Sequence, residues 1–211
     1  MAAERAGYIA LRRGQGMRKW LSLMLMISCV LFSLTGCGSA APERTTVEVK
    51  KNGHVTHTIV EDFTESYYDL EGLKDTIEEA CEAYNGTMGS ELVTLEEAEV
   101  EDGVLTAVMD YRSASAYAGF NRQALFTGTV KEAYDAGYDL NQTLYSAQED
   151  GGTIGKEGLL NLPKAHILVI REAIDVRVWD KVLYHSDDVI LQEDGSLTVT
   201  DSGKLSFIVF K

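Results

Sequence analysis

Apolar positions in the first part of the chain alternate with period two. Val47 and Val49 precede the polar stretch Lys51-Asn52-Gly53-His54, and Val55 and Ile59 follow it. This predicts a hairpin of strands over 45–50 and 55–61. A two-residue Asn-Gly turn would set Val47 and Val49 on the face opposite Val55 and Ile59. A three-residue loop over 51–53, with Gly53 in the left-handed region, sets all four on one face, so the bulged hairpin is expected. His57 then joins the apolar face as a partly buried histidine, and His54, an odd number of strand positions away, points apart from it unless the bulge intervenes.

The period next lengthens to that of a helix. Leu73, Ile77, Ala80, Cys81 and Tyr84 share one face, Asp69 is a natural N-cap, and Asn85-Gly86 is a stop, so a helix is expected over 70–84. Alternation returns over 92–101 and 104–111. A two-residue Asp102-Gly103 turn aligns Ala98 and Val100 with Leu105, Ala107, Met109 and Tyr111, leaving Glu97, Glu99 and Glu101 on the other face. A short helix is expected near 113–121, and Thr129-Val130-Lys131-Glu132 reads as a capping box opening a helix that Gly137 ends. Tyr117, Phe120, Phe126, Tyr134 and Tyr138 fall in this stretch, and most of them are expected on helix faces packed against the sheet.

From 139 to 163 the periodicity fails and Gly151, Gly152, Gly155 and Gly158 accumulate. The segment reads as a loop and is the preferred location for a binding surface. Beyond it, residues 166–170 form a continuous apolar run suited to a central strand. Ile174, Val176 and Val178 alternate with Asp175 and Arg177, and 182–184 continues the strand pattern. Residues 189–192, 197–200 and 205–210 read as a meander around Asp194-Gly195 and Ser202-Gly203. The expected fold class is α+β. It would be an antiparallel sheet built from hairpins and a C-terminal meander, with a few helices packed mainly on one face, as a single domain over 45–211.

The segment ahead of this domain has a different character. Met17-Arg18-Lys19 is a short basic stretch, followed by a 15-residue apolar run from Trp20 to Leu34, then Thr35-Gly36-Cys37. A membrane-spanning helix needs about 20 apolar residues, so the run suits a cleaved signal better than a span. Leu34-Thr35-Gly36-Cys37 resembles the lipobox of bacterial lipoproteins. That resemblance implies a diacylglyceryl group on the Cys37 thiol, cleavage between Gly36 and Cys37, a signal peptide over 1–36 and a lipidated tether over 37–44. It implies anchoring on the extracytoplasmic face of a bacterial membrane, through the lipid on Cys37. Residues 1–16 fit the signal poorly. Arg12-Arg13-Gly14-Gln15-Gly16 is the kind of stretch a purine-rich ribosome-binding sequence would encode, so translation is expected to start at Met17. The rest of the chain is similar to uncharacterised small lipoproteins of Gram-positive-type bacteria.

Charge narrows the partners. Five of the 19 basic and one of the 33 acidic side chains lie in 1–36, leaving 14 against 32 and a formal net charge of −18. So acidic a surface repels phosphate backbones and anionic headgroups, so no nucleic acid partner and no second, polybasic membrane contact is expected. With Cys29 in the signal and Cys37 acylated, Cys81 is the remaining thiol and sits on an apolar helix face. It reads as a core residue with Glu78, Glu79 and Glu82 nearby to oppose thiolate formation.

Candidate chemistry is sparse. Gly151-Gly152-Thr153-Ile154-Gly155-Lys156-Glu157 lacks the first glycine and the final hydroxyl residue of a phosphate loop. The carboxylates of Glu97, Glu99 and Glu101 splay along a strand and have no calcium-loop spacing. His185 with Asp187 and Asp188 is the compact His-carboxylate group, suited to a metal or a proton relay but more simply a polar turn. No metal, cofactor or catalytic residue is assigned. The favoured reading is a lipid-anchored, non-catalytic binding or interaction module for a protein, peptide or glycan. The alternatives are an envelope hydrolase or metal-dependent enzyme using carboxylates near His185, and a small solute-binding lipoprotein of a transport system.

Overall fold

The computed structural model describes residues 43–148, 151–162 and 164–211. The segments read above as signal peptide and lipobox, Cys37 included, lie outside them. In chain order the elements are β1 (Thr46–Val49), β2 (Val55–Asp62), α1 (Leu70–Met88), β3 (Val93–Glu101), β4 (Val104–Tyr111), α2 (Ala114–Asn121), β5 (Leu125–Thr129) and α3 (Val130–Asp135). They continue with β6 (Leu144–Ser146), β7 (Thr153–Ile154), α4 (Lys156–Leu160), β8 (His166–Ile170), β9 (Asp175–Val178), β10 (Val182–His185), β11 (Val189–Leu191), β12 (Leu197–Val199) and β13 (Ser206–Phe210). The chain is α+β, as the hydrophobic pattern predicts.

The first hairpin has the bulged geometry. Val49 faces Val55 and Val47 faces His57. Gly53 takes φ +88°, and its N–H donates to the Lys50 carbonyl at 2.9 Å. The hairpin of β3 and β4 closes on Asp102 and Gly103, both left-handed at φ +51° and +79°. These are the angles of a type I′ turn, whose twist matches that of the strands. Its register pairs Val100 with Leu105 and Ala98 with Ala107, then slips at Glu96, where one extra residue bulges from β3.

The strands divide between two sheets. The first, β11-β12-β9-β1-β2-β4-β3, is antiparallel except where β1 lies beside β9; the second, β5-β8-β13-β10-β6-β7, is antiparallel throughout. One core lies between them, joining Val47, Val49, Met109 and Val176 of the first sheet to Leu168, Ile170, Ile208 and Phe210 of the second. A second core covers the other face of the second sheet, where Ile167, Val169, Phe207 and Val209 meet Val130 and Ala133 of α3, Leu159 of α4, and Leu140 and Leu144. The central strands β8 and β13 therefore have apolar cover on both faces, which is why their sequences do not alternate. The carboxylates of β3 alternate because its far face is solvated.

Three elements differ from expectation. Residues 205–210 do not extend the β11–β12 hairpin into a meander; β13 crosses into the second sheet between β8 and β10. Phe207-Ile208-Val209-Phe210 has no polar position, and both of its faces are satisfied only where both are covered. Helix α1 runs through Asn85-Gly86 and ends at Gly89, φ +71°. Asn85 does not cap it. Its side chain instead accepts from the N–H groups of Leu92 and Val93 and donates to the Val93 carbonyl, tying the helix to β3. Finally, β5 fills the stretch between the two expected helices, with Phe126 opposite Val169 at the edge of the second sheet. The glycine-rich segment is also less irregular than its composition suggests. It holds β6, β7 and α4, pinned by the buried Leu140, Leu144 and Leu159, with residues 149, 150 and 163 outside the described set.

Candidate functional site

The His185 group does not assemble into a relay. His185 ends β10 and donates from Nδ1 to the Ser186 carbonyl at 2.8 Å. Asp187 accepts from Lys204 Nζ at 2.6 Å, and Asp188 accepts from Ser206 Oγ at 2.5 Å with Lys204 Nζ 3.6 Å from its other oxygen. The Lys204 ammonium holds the Asp187 carboxyl below its ordinary value and is itself raised by Asp187. Ser186 completes a clasp by accepting from the Phe207 N–H. These contacts lock the corner after β10 onto the start of β13. Each carboxylate faces a partner other than His185.

The clasp supports a cleft of about 590 Å³ at the start of β1 and β9, lined by Arg44, Glu61, Glu172, Asp175, Thr198 and Thr200 among others. Its walls come from segments distant in sequence, which meet through the parallel pairing of β1 with β9 and the pairing of β9 with β12. Asp175 is the organising residue. One of its oxygens accepts from Thr198 Oγ1 at 2.7 Å and the other lies 3.4 Å from Arg44 Nε. Thr200 is fixed from behind, its N–H and Oγ1 both donating to the Asp188 carbonyl at 2.9 Å.

Glu172 joins the cleft to the interior. The hydroxyl of the fully buried Tyr117 donates to it at 2.8 Å. Burial, and then the Glu172 charge, push the Tyr117 hydroxyl far above the ordinary tyrosine range, so it stays a donor at any working pH. Behind Tyr117, the His57 ring packs edge-on at 5.5 Å between centroids. His57 is 8 % exposed, neither ring nitrogen has a hydrogen-bond partner among the described residues, and burial lowers its pKa to about 4. The ring is therefore neutral at physiological pH.

The remaining sequence candidates fall elsewhere. Cys81 lies in the core between the sheets, where burial, and then Glu78, push its thiol up. Glu97, Glu99 and Glu101 are exposed along β3, and among the described residues no group of three or more His, Cys, Asp or Glu side chains is placed to hold a metal ion. His54 pairs with Asp110 at 3.0 Å on the sheet face opposite His57. No described helix is long and apolar enough to cross a membrane. Compared with family models, curated proteins and solved structures, the chain finds no match.

Sequence reasoning missed the residues of this cleft because each looks ordinary in its own segment. Asp175 and Thr198 are polar positions of alternating strands, and Arg44 lies just ahead of β1. The one available signal was the even alternation of Asp175 and Arg177 with Val176 and Val178, which marks a polar sheet face without naming its neighbours.

Proposed function

We propose that the protein is a lipid-anchored extracytoplasmic lipoprotein of a bacterial membrane whose folded domain is a non-catalytic binding or interaction module. The observation that carries the reading is Leu34-Thr35-Gly36-Cys37 at the end of a short apolar run behind Arg18-Lys19. The charge distribution supports it. A domain of net charge −18 gains nothing from anionic headgroups, so its membrane affinity must come from acyl chains, at about 0.8 kcal/mol per buried methylene. The cleft supports the binding half of the reading, because Glu172, Asp175 and Thr200 are each held by a hydrogen-bond partner and line a concavity of ligand size. Three carboxylates against one guanidinium suit it to a polar ligand carrying positive charge, such as a basic peptide segment or an amino sugar.

The test is Cys37→Ala. Wild-type protein is expected in the membrane fraction and labelled by a radioactive fatty acid, and the variant is expected to lose the label. A variant acylated at the wild-type yield would sink the proposal. For the module, a glycan and peptide array should show binders that Glu172→Gln weakens, and a cleft with no such binder would remove that half alone.

A further inference from the structure

At the opposite end of β8 from Glu172, a second concavity of about 450 Å³ opens between the approach to β8 and the strand β10, lined by Leu162, Lys164, Ala165, Leu183 and Lys211. Its walls are almost wholly carbon. Leu162 and Leu183 are partly buried, and they continue the core that covers the helical face of the second sheet. A water-filled groove of this kind is costly to leave open and gains by taking an apolar chain.

The charge at its rim selects which chain. Lys164 and Lys211 bring two ammonium groups to a groove with no acidic side chain among its lining residues. Neither lysine is in an ion pair among the described residues. In a chain so acidic overall, two unpaired ammonium groups at one apolar groove favour an anion. Lysine stems can lie along an apolar surface while their ammonium groups stay in water, so the floor can bind a chain and the rim its head. Volumes of about 300–1,000 Å³ are the usual range for small-molecule sites.

We propose that this groove is a binding site for a free long-chain fatty acid, the acyl chain lying on Leu162, Ala165 and Leu183 and the carboxylate meeting Lys164 and Lys211. The site is independent of the cleft and of the anchor. The whole chain carrying Cys37→Ala, which removes the acylation site, would be titrated with dodecanoate below its micelle concentration by calorimetry, then with dodecylammonium. Dodecanoate is expected to bind saturably at one equivalent, at least tenfold more tightly than dodecylammonium. The double variant Lys164→Glu/Lys211→Glu changes exposed side chains only and is expected to keep the far-UV circular dichroism while losing at least tenfold in dodecanoate affinity. No saturable binding, equal affinity for the two amphiphiles, or an unaltered affinity in the folded double variant would each overturn the assignment. So would a peptide with an apolar C-terminal residue and a free carboxylate that binds more tightly than dodecanoate, which would give the groove to a protein partner.

Discussion

His57 is the residue whose environment has the clearest consequence in solution. Its ring is buried beside Tyr117 and exchanges water for that contact without gaining a hydrogen bond, so the folded state resists protonation. The unfolded chain takes up that proton near the ordinary value of 6.5, and the folded chain only near pH 4. The contribution to stability is therefore fully present above pH 6.5 and is lost as the pH falls toward 4. At about 1.4 kcal/mol per pH unit, the loss reaches about 3 kcal/mol. Urea unfolding midpoints followed from pH 7.5 to 4 should show it, and His57→Leu should flatten this part of the profile. The exposed carboxyls of Asp62, Asp187 and Asp194 are also held below their ordinary value, so their effect belongs at lower pH and would persist in the variant. Gly103 gives a second prediction on this scale. It sits at φ +79°, and a Cβ there would come 2.7 Å from Thr64 Cγ2. Gly103→Ala is expected to cost about 1–2 kcal/mol in chemical denaturation, the usual scale for a left-handed non-glycine residue.

At the scale of elements, local patterns with their own turn chemistry were legible, and choices decided by distant neighbours were not. The β1–β2 register followed from keeping four apolar residues on one face, and the β3–β4 hairpin from Asp-Gly between alternating runs. The Thr129 capping box is present, with the Thr129 and Glu132 side chains each accepting from the other residue's N–H. By contrast, Asn85-Gly86 has the composition of a helix stop, and the helix continues because Asn85 finds better partners on β3. Asn85→Ala would leave the Leu92 and Val93 N–H groups and the Val93 carbonyl without this partner. The expected cost is about 2–3 kcal/mol, with faster amide exchange at Leu92 and Val93, since partly buried unpaired groups bear most of their desolvation penalty. The destination of β13 was likewise invisible in its own residues, which say that both faces must be covered but not by what. The cleft inherits that difficulty. Arg44, Asp175 and Thr198 become neighbours only through strand pairings that span most of the domain.

On the scale of the whole molecule, the two cores share the second sheet, and β13 alternates between them. Phe207 and Val209 face the helices, while Ile208 and Phe210 face the first sheet. Ile208→Ala and Phe207→Ala should each cost about 2–5 kcal/mol, through cavities in different cores. Because one strand carries both, unfolding of either variant should remain a single transition, with Trp179 fluorescence and far-UV circular dichroism coinciding. The order of the first sheet has a mechanical consequence. The described chain begins at Glu43 and enters β1, which is bonded to β2 on one side and β9 on the other. Ladder bonds lie across the strand direction, so a pull along β1 on the chain ahead of Glu43 would strain two ladders in shear together. A strand at an edge would have peeled away one bond at a time. If Cys37 moors the protein to a membrane, the mooring line is spliced into the middle of the fabric.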